Sequence, residues 1–290
     1  MNANTWQPLG VVSDKYRLIT NEEALDMAHK CCETFFPETN KAEWRPTKID
    51  GPSTGRHCCV DLCHNSEALD FSFVPPNQRP DAFGPFVRVI NSYNGLYLLS
   101  FFIGFYRKVC ANGMIARTSE IEFKFIHRGK SVSGINFKNS VHKLKTLKKS
   151  FENFLGALKD CQAPLYHFPT LVNGALLLKA PADPEDIPLK NKWDKLQQNI
   201  SDTSARYAEE LGENAYAVFN VITDFASNPP ESSAYFRRAR HSWQRLAGSW
   251  VESFTSLCVE PSFSLDNYLV TLDKKLKVTE ETNNPDPHLF

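Results

Sequence analysis

The stretch Asn91–Met114, NSYNGLYLLSFFIGFYRKVCANGM, decides the fold. Asn94-Gly95 and Asn112-Gly113 are two-residue hairpin signals, because both central turn positions need positive φ and Asn and Gly supply it most cheaply. Between them runs an apolar, aromatic-rich segment. It suits a strand buried on both faces; a buried helix is the competing reading, and Gly104 fits either. A membrane span is excluded: Leu96 to Tyr106 falls well short of the ~20 apolar residues a bilayer needs, and Arg107 and Lys108 close it. The next segment, SEIEFKFIHRGKS, alternates, with Ile121, Phe123 and Phe125 set against Glu122, Lys124 and Ile126. That is a half-buried strand. Phe86 to Lys130 therefore reads as an antiparallel sheet.

Upstream, LITNEEALDMAHKCCETFF carries a helix start. Thr20 is the N-cap and Glu23 stands at the capping-box position. Ala24, Leu25, Ala28, Cys31, Cys32 and Phe35 recur at helical spacing until Pro37. HCCVDLCH and LDFSFVP read as short strands, and PPNQRPDAFGPF as a loop. Downstream, Asn139 or Ser140 caps a helix whose apolar stripe is Val141, Leu144, Leu147, Phe151, Phe154, Leu155 and Leu158. Lys143, Lys145, Lys148 and Lys149 fall mostly on its other side.

The proline-rich segment 180–191 is the expected domain boundary. Beyond it, Trp193, Leu196 and Ile200, then Ala215 to Phe225, then Phe236 to Leu257 repeat with helical period. The expectation is an α+β fold. An antiparallel sheet with flanking helices spans 1–180, a mainly helical region spans 190–260, and 279–290 is a polar tail. The large apolar residues Phe236, Trp243, Trp250 and Phe254 are candidates for the interface of a homo-oligomer.

The chain has 290 residues, 42% of them hydrophobic, and its 33 basic and 33 acidic residues cancel. No overall basic field exists, so any attraction to nucleic acid must be local. The opening lacks a basic segment followed by an apolar one, so no secretory signal is expected and a cytoplasmic location is. In that setting most of the eight cysteines read as small buried hydrophobes rather than a disulfide framework. His57, Cys58, Cys59, Cys63 and His64 crowd one span, but there is no Cys-x-x-Cys pair, and strand alternation sends neighbours to opposite faces. No metal or other cofactor is expected. Nor does any local signature join a nucleophile to a base or form a phosphate loop. The expectation is a non-enzymatic protein with no catalytic residues.

The largest departure from background is electrostatic. From Phe123 to Phe151 there is no Asp or Glu, yet Lys124, Arg128, Lys130, Lys138, Lys143, Lys145, Lys148 and Lys149 all occur. Phe125, His127 and Phe137 lie among them. Cations for phosphates and rings for bases are the usual design for single-stranded nucleic acid. The plainer reading is a solvated helix face with the phenylalanines in the core. A second basic group, Arg237, Arg238, Arg240 and Arg245, lies in the helical half.

Four segments resemble one family: LGVVSDKYRLITNEEALD (9–26), VINSYNGLYLLSFF (89–102), FYRKVCANGM (105–114) and ENAYAVFNVITDFASN (213–228). It is the phage/plasmid-like protein family, a domain of unknown function found in bacteriophages, prophages and plasmids. The resemblance runs over most of residues 8–257 and omits 50–80 and the tail. It implies a mobile-element origin and a life in the bacterial cytoplasm. The family has no settled catalytic residues, so none carries over. Two roles follow as expectations. One is single-stranded DNA binding or annealing, since a sheet followed by a basic helix is similar in outline to the core of single-strand annealing proteins. The other is anti-defence: a homo-oligomer that binds and inhibits a host defence complex of the Gabija type.

Overall fold

A computed structural model describes residues 8–52, 55–73, 81–108, 112–114, 121–128, 137–183, 185–236, 238 and 240–278. The chain divides into two compact units, 1–152 and 153–290. The division falls inside a helix, ahead of the 180–191 segment where the sequence suggested a boundary. The reason is the short helix α3 (Phe168–Ala175), which packs against the helices that follow it.

The first unit opens with α1 (Asn21–Phe35). Its capping box forms: Glu23 N–H donates to Thr20 Oγ1 at 3.1 Å, and Thr20 N–H donates to Glu23 Oε2 at 2.7 Å. Two otherwise orphaned donors are thereby satisfied. The helix buries Ala24, Ala28, Cys31, Cys32 and Phe35.

The strands are β1 (Trp44–Asp50), β2 (His57–His64), β3 (Phe71–Phe73), β4 (Asp81–Ser92), β5 (Leu99–Arg107), β6 (Asn112–Met114) and β7 (Glu122–Phe125). They form one antiparallel sheet in the order β1-β2-β4-β5-β6, with β3 on β4 and β7 on β5. The opening stretch is thus strand, and Gly95 turns the chain between β4 and β5 at φ +73°. Asn112-Gly113 is not a turn. It lies inside β6, opposite Arg107 and Tyr106.

Residues Asp81–Phe86, expected in a loop, belong to β4. Pro85 is tolerated there because β2 pairs β4 only from Phe86 onward and β3 only up to Phe83. Its missing N–H faces a gap in the ladder.

The sheet's two faces differ. Val87, Val89, Phe101, Ile103 and Phe105 alternate onto the face covered by α1 and by α2 (Lys143–Asp160). Phe151 of α2 meets Phe83 at 5.2 Å and Phe105 at 5.3 Å between ring centroids.

The second unit is helical, as expected. Besides the end of α2 and α3 it holds α4 (Ile187–Leu211), α5 (Ala215–Ser227), α6 (Arg240–Cys258) and α7 (Leu265–Val278). Asp186 caps α4 and Asn214 caps α5. Helix α5 is buried along nearly its whole length between α4 and α6. Helix α7, not foreseen from the sequence, packs on α3, where Gly174 leaves room for Leu272. A Cβ at 174 would overlap that side chain. Gly174→Val is therefore expected to lower the thermal midpoint by about 4 °C or more, the scale of overpacking by ~1–3 kcal/mol in a domain this size. An unchanged melting curve would show that α7 does not dock on α3.

Three histidines, His29, His57 and His127, are held below their ordinary range by burial, which disfavours the imidazolium. In the unfolded chain each takes up a proton near pH ~6.5. Below that pH the unfolded state binds more protons than the folded one, so stability present at neutrality is lost as pH falls. The urea midpoint should drop between pH 7.5 and 5.5; a flat or rising midpoint would contradict this.

Candidate nucleic-acid interface

Helix α2 has no acidic residue in its first turn. Lys145, Lys148 and Lys149 are exposed, Lys143 is half-buried, and Lys138 stands exposed in the turn just before it. Leu147 and Phe151 bury the opposite side. Lysines beside a helix N-terminus add to the positive end of the macrodipole and are locally unfavourable by about 0.3–1 kcal/mol each. The same arrangement suits an anion.

The sheet's pleat removes Lys124 from this group. In β7, Phe123 opposes Phe101 and Lys124 opposes Ser100. Phe123 and Phe125 therefore share the α2-covered face, while Lys124 lies on the other and pairs with Glu122 at 2.8 Å. Arg128 is exposed where a bridge joins it to Tyr16. Lys130 lies outside the described residues.

Of the two rings proposed to stack on bases, Phe137 is a core residue. It is 5% exposed and meets Phe123 at 4.9 Å and Phe101 at 5.5 Å, both edge-on. Phe125 is half-buried, edge-on to Phe101 at 6.1 Å.

The interface candidates Phe236, Trp243, Trp250 and Phe254 all lie in the helical unit. Trp243 is 1% exposed and Phe254 fully buried, and Trp250 is buried too; all three face inward within the helical unit. Trp243 packs edge-on to Phe225 of α5 at 5.4 Å. Phe236 alone of the four is half-exposed. Nearby, Arg238 lies 4.8 Å over the Trp243 ring and donates to the Leu176 carbonyl at 2.7 Å. Arg237 falls outside the described residues.

The sequence reading missed the buried charge pairs built into the sheet. Asp61 of β2 opposes Arg88 of β4 and holds it with two hydrogen bonds, at 2.5 and 2.7 Å. Both are buried. Arg107 pairs with Asp81 at 2.8 Å, also buried, and Lys108 with Asp70 at 2.5 Å. The available signal was a charge standing inside an apolar strand, as in FVRVI.

The Cys/His span is separated by the pleat. Cys58 turns toward α1 and donates to Asn21 Oδ1, whereas Cys63 meets Thr47 of β1. Among the described residues no three His, Cys, Asp or Glu side chains are placed to hold a metal ion. Nor, among them, is any helix long and apolar enough to cross a membrane.

The family described as Domain of unknown function (DUF932) matches residues 72–249, from β3 to α6. That is more than half of the chain, and the protein belongs to this family. No curated protein and no solved structure matches it.

Proposed function

We propose that this protein binds single-stranded nucleic acid without catalysis, through phosphate contacts at the start of α2. The observation that carries the reading is the set of exposed lysines, Lys138, Lys145, Lys148 and Lys149, at a helix N-terminus inside a run free of acids. Binding of this kind is sequence-tolerant and salt-sensitive, because phosphate contacts act through released counterions. With Phe137 in the core, ring stacking contributes little, and cations carry the affinity.

Four phosphate contacts to a single strand predict about a 50-fold loss of affinity between 50 and 200 mM salt. Replacing Lys138, Lys145, Lys148 and Lys149 by Glu should weaken oligonucleotide binding for every sequence tried and flatten the salt dependence. Fluorescence anisotropy with single-stranded and duplex probes measures both. No binding by the wild-type protein at low salt would sink this reading.

A second reading, inhibition of a bacterial anti-phage complex by a homo-oligomer, is favoured by a different observation. Val11 is 96% exposed, and Val12, Leu18, Leu96, Leu98 and Ile126 are also at the surface of the first unit. Gly95 lies against Val12 and Tyr16, and Tyr16 bridges to Arg128, which brings these segments together. Apolar residues grouped in this way suit a protein partner. A mobile-element origin and a bacterial cytoplasmic location fit both readings. Light scattering at micromolar concentration tests the homo-oligomer, and a monomeric mass would refute it.

A further inference from the structure

Helices α4 and α5 follow one another across the turn at Gly212–Asn214 and pack together. Between them lies a recess of about 260 Å³, wholly within the second unit. Asn199, Asp202 and Thr203 recur at helical spacing on α4, and Val221, Asp224, Phe225 and Asn228 do so on α5, so each helix gives one stripe to the recess. Its apolar lining is Ile200, Val221 and Phe225, all buried.

The two carboxylates of the recess are in different states. Asp224 is already engaged: its Oδ2 accepts from Arg206 Nη2 at 2.8 Å and from the Tyr207 hydroxyl at 3.3 Å, and its Oδ1 accepts from Asn228 Nδ2 at 3.1 Å. Asp202 Oδ1 accepts from Gln198 Nε2 at 2.7 Å, but among the described residues its Oδ2 has neither a donor nor a basic partner. The amides of Asn199 and Asn228 are fixed through nitrogen, Asn199 Nδ2 donating to Ser232 Oγ at 3.3 Å and Asn228 Nδ2 to Asp224. Both amide oxygens are left without a donor among the described residues.

That inventory sets the chemistry of a ligand. Three oxygens await donors, and one belongs to a carboxylate with no countercharge, so the head group is a cation rich in N–H. The apolar lining calls for a hydrocarbon stem behind it. A guanidinium suits the place better than an ammonium: its planar fork reaches a carboxylate and an amide oxygen together, and it is more weakly hydrated and so loses less on entering a recess lined with hydrocarbon. At about 260 Å³ the space falls below the ~300–1,000 Å³ of drug-sized and cofactor sites, which fits one short chain rather than a nucleotide.

We propose that the recess between α4 and α5 binds an alkylguanidinium group, with its head on Asp202 Oδ2 and the Asn199 and Asn228 amide oxygens and its stem on Ile200, Val221 and Phe225. An arginine side chain of a polypeptide and a free small guanidine share this chemistry, and the test below separates them. The site lies in the second unit and does not rest on the lysines at the start of α2.

The test titrates the isotope-labelled full chain, followed by nuclear magnetic resonance, with n-butylguanidinium, with neutral n-butylurea of the same shape, and with a capped Gly-Arg-Gly tripeptide. The guanidinium should bind one to one and shift the side-chain amide signals of Asn199 and Asn228. Without the charge, n-butylurea should bind about tenfold more weakly or worse. Asp202→Asn, at an exposed position, should weaken guanidinium binding about tenfold. Thr203→Phe, which fills the recess, should abolish it; where that variant fails to fold, Asp202→Asn and n-butylurea decide. Tighter binding of the tripeptide than of n-butylguanidinium assigns the site to an arginine side chain, and the reverse order assigns it to a free guanidine. No binding of either guanidinium, equal binding of n-butylurea, or an affinity indifferent to Asp202→Asn would overturn the proposal.

Discussion

Asp61→Asn is expected to destabilise the protein by about 3–5 kcal/mol, enough to leave a typical domain marginal or unfolded. The reason lies in the partner left behind. Arg88 is 0% exposed, sits in the centre of the sheet, and stacks 5.6 Å from the Phe86 ring centroid. Burial works against its charge, but the facing Asp61 carboxylate outweighs that, and the guanidinium stays protonated. Its Nη1 already lacks a hydrogen-bond partner. Removing the carboxylate charge strands a cation in the interior. The asymmetry of buried pairs supplies a control: replacing both members with apolar residues of similar size removes both desolvation penalties. Asp61→Leu combined with Arg88→Met should therefore recover most of the loss. Urea denaturation of the three variants measures it. A loss below about 1 kcal/mol for Asp61→Asn would mean that water reaches the pair.

The parts of this fold that were legible in the sequence are those set by neighbouring residues. The Thr20–Glu23 capping box, the Asn94-Gly95 turn and the alternation of Ile121, Phe123 and Phe125 each state their structure within a few positions. What escaped depends on distant partners. Pro85 looked like a loop residue, because the gap between β2 and β3 that tolerates it exists only in the assembled sheet. Asn112-Gly113 has turn chemistry but is pinned into β6 by pairing with Tyr106 and Arg107.

For the candidate site, the acid-free basic run was visible, and the exposure of Lys145, Lys148 and Lys149 follows from the helical period. Its unity was not. Lys124 stands close in sequence, but the pleat of β7 puts it on the other face of the sheet. Phe137 shows the same limit. An aromatic beside lysines reads alike whether its ring faces a base or Phe101 and Phe123. The ion pair of Asp61 and Arg88 escaped because each residue alone is an isolated charge, and only the strand register makes them a pair.

Phe254→Ala is expected to lower stability by about 3–5 kcal/mol, and by the same amount at every protein concentration. The sequence alone could not distinguish an apolar stripe that meets another subunit from one that meets its own core. In the structure the Phe254 ring is fully buried. It stacks on Trp250 at 4.7 Å and meets Tyr268 edge-on at 5.0 Å and Phe263 at 5.7 Å. Truncating it leaves a cavity among three aromatic side chains and loosens the docking of α7 on α6. A residue at a subunit interface behaves differently, since association stabilises by mass action and its loss shows most at low concentration. Denaturation at 1 and 50 μM therefore separates the two cases. Equal losses at both concentrations place Phe254 in the core of one chain. A loss confined to dilute protein would return it to an interface between copies.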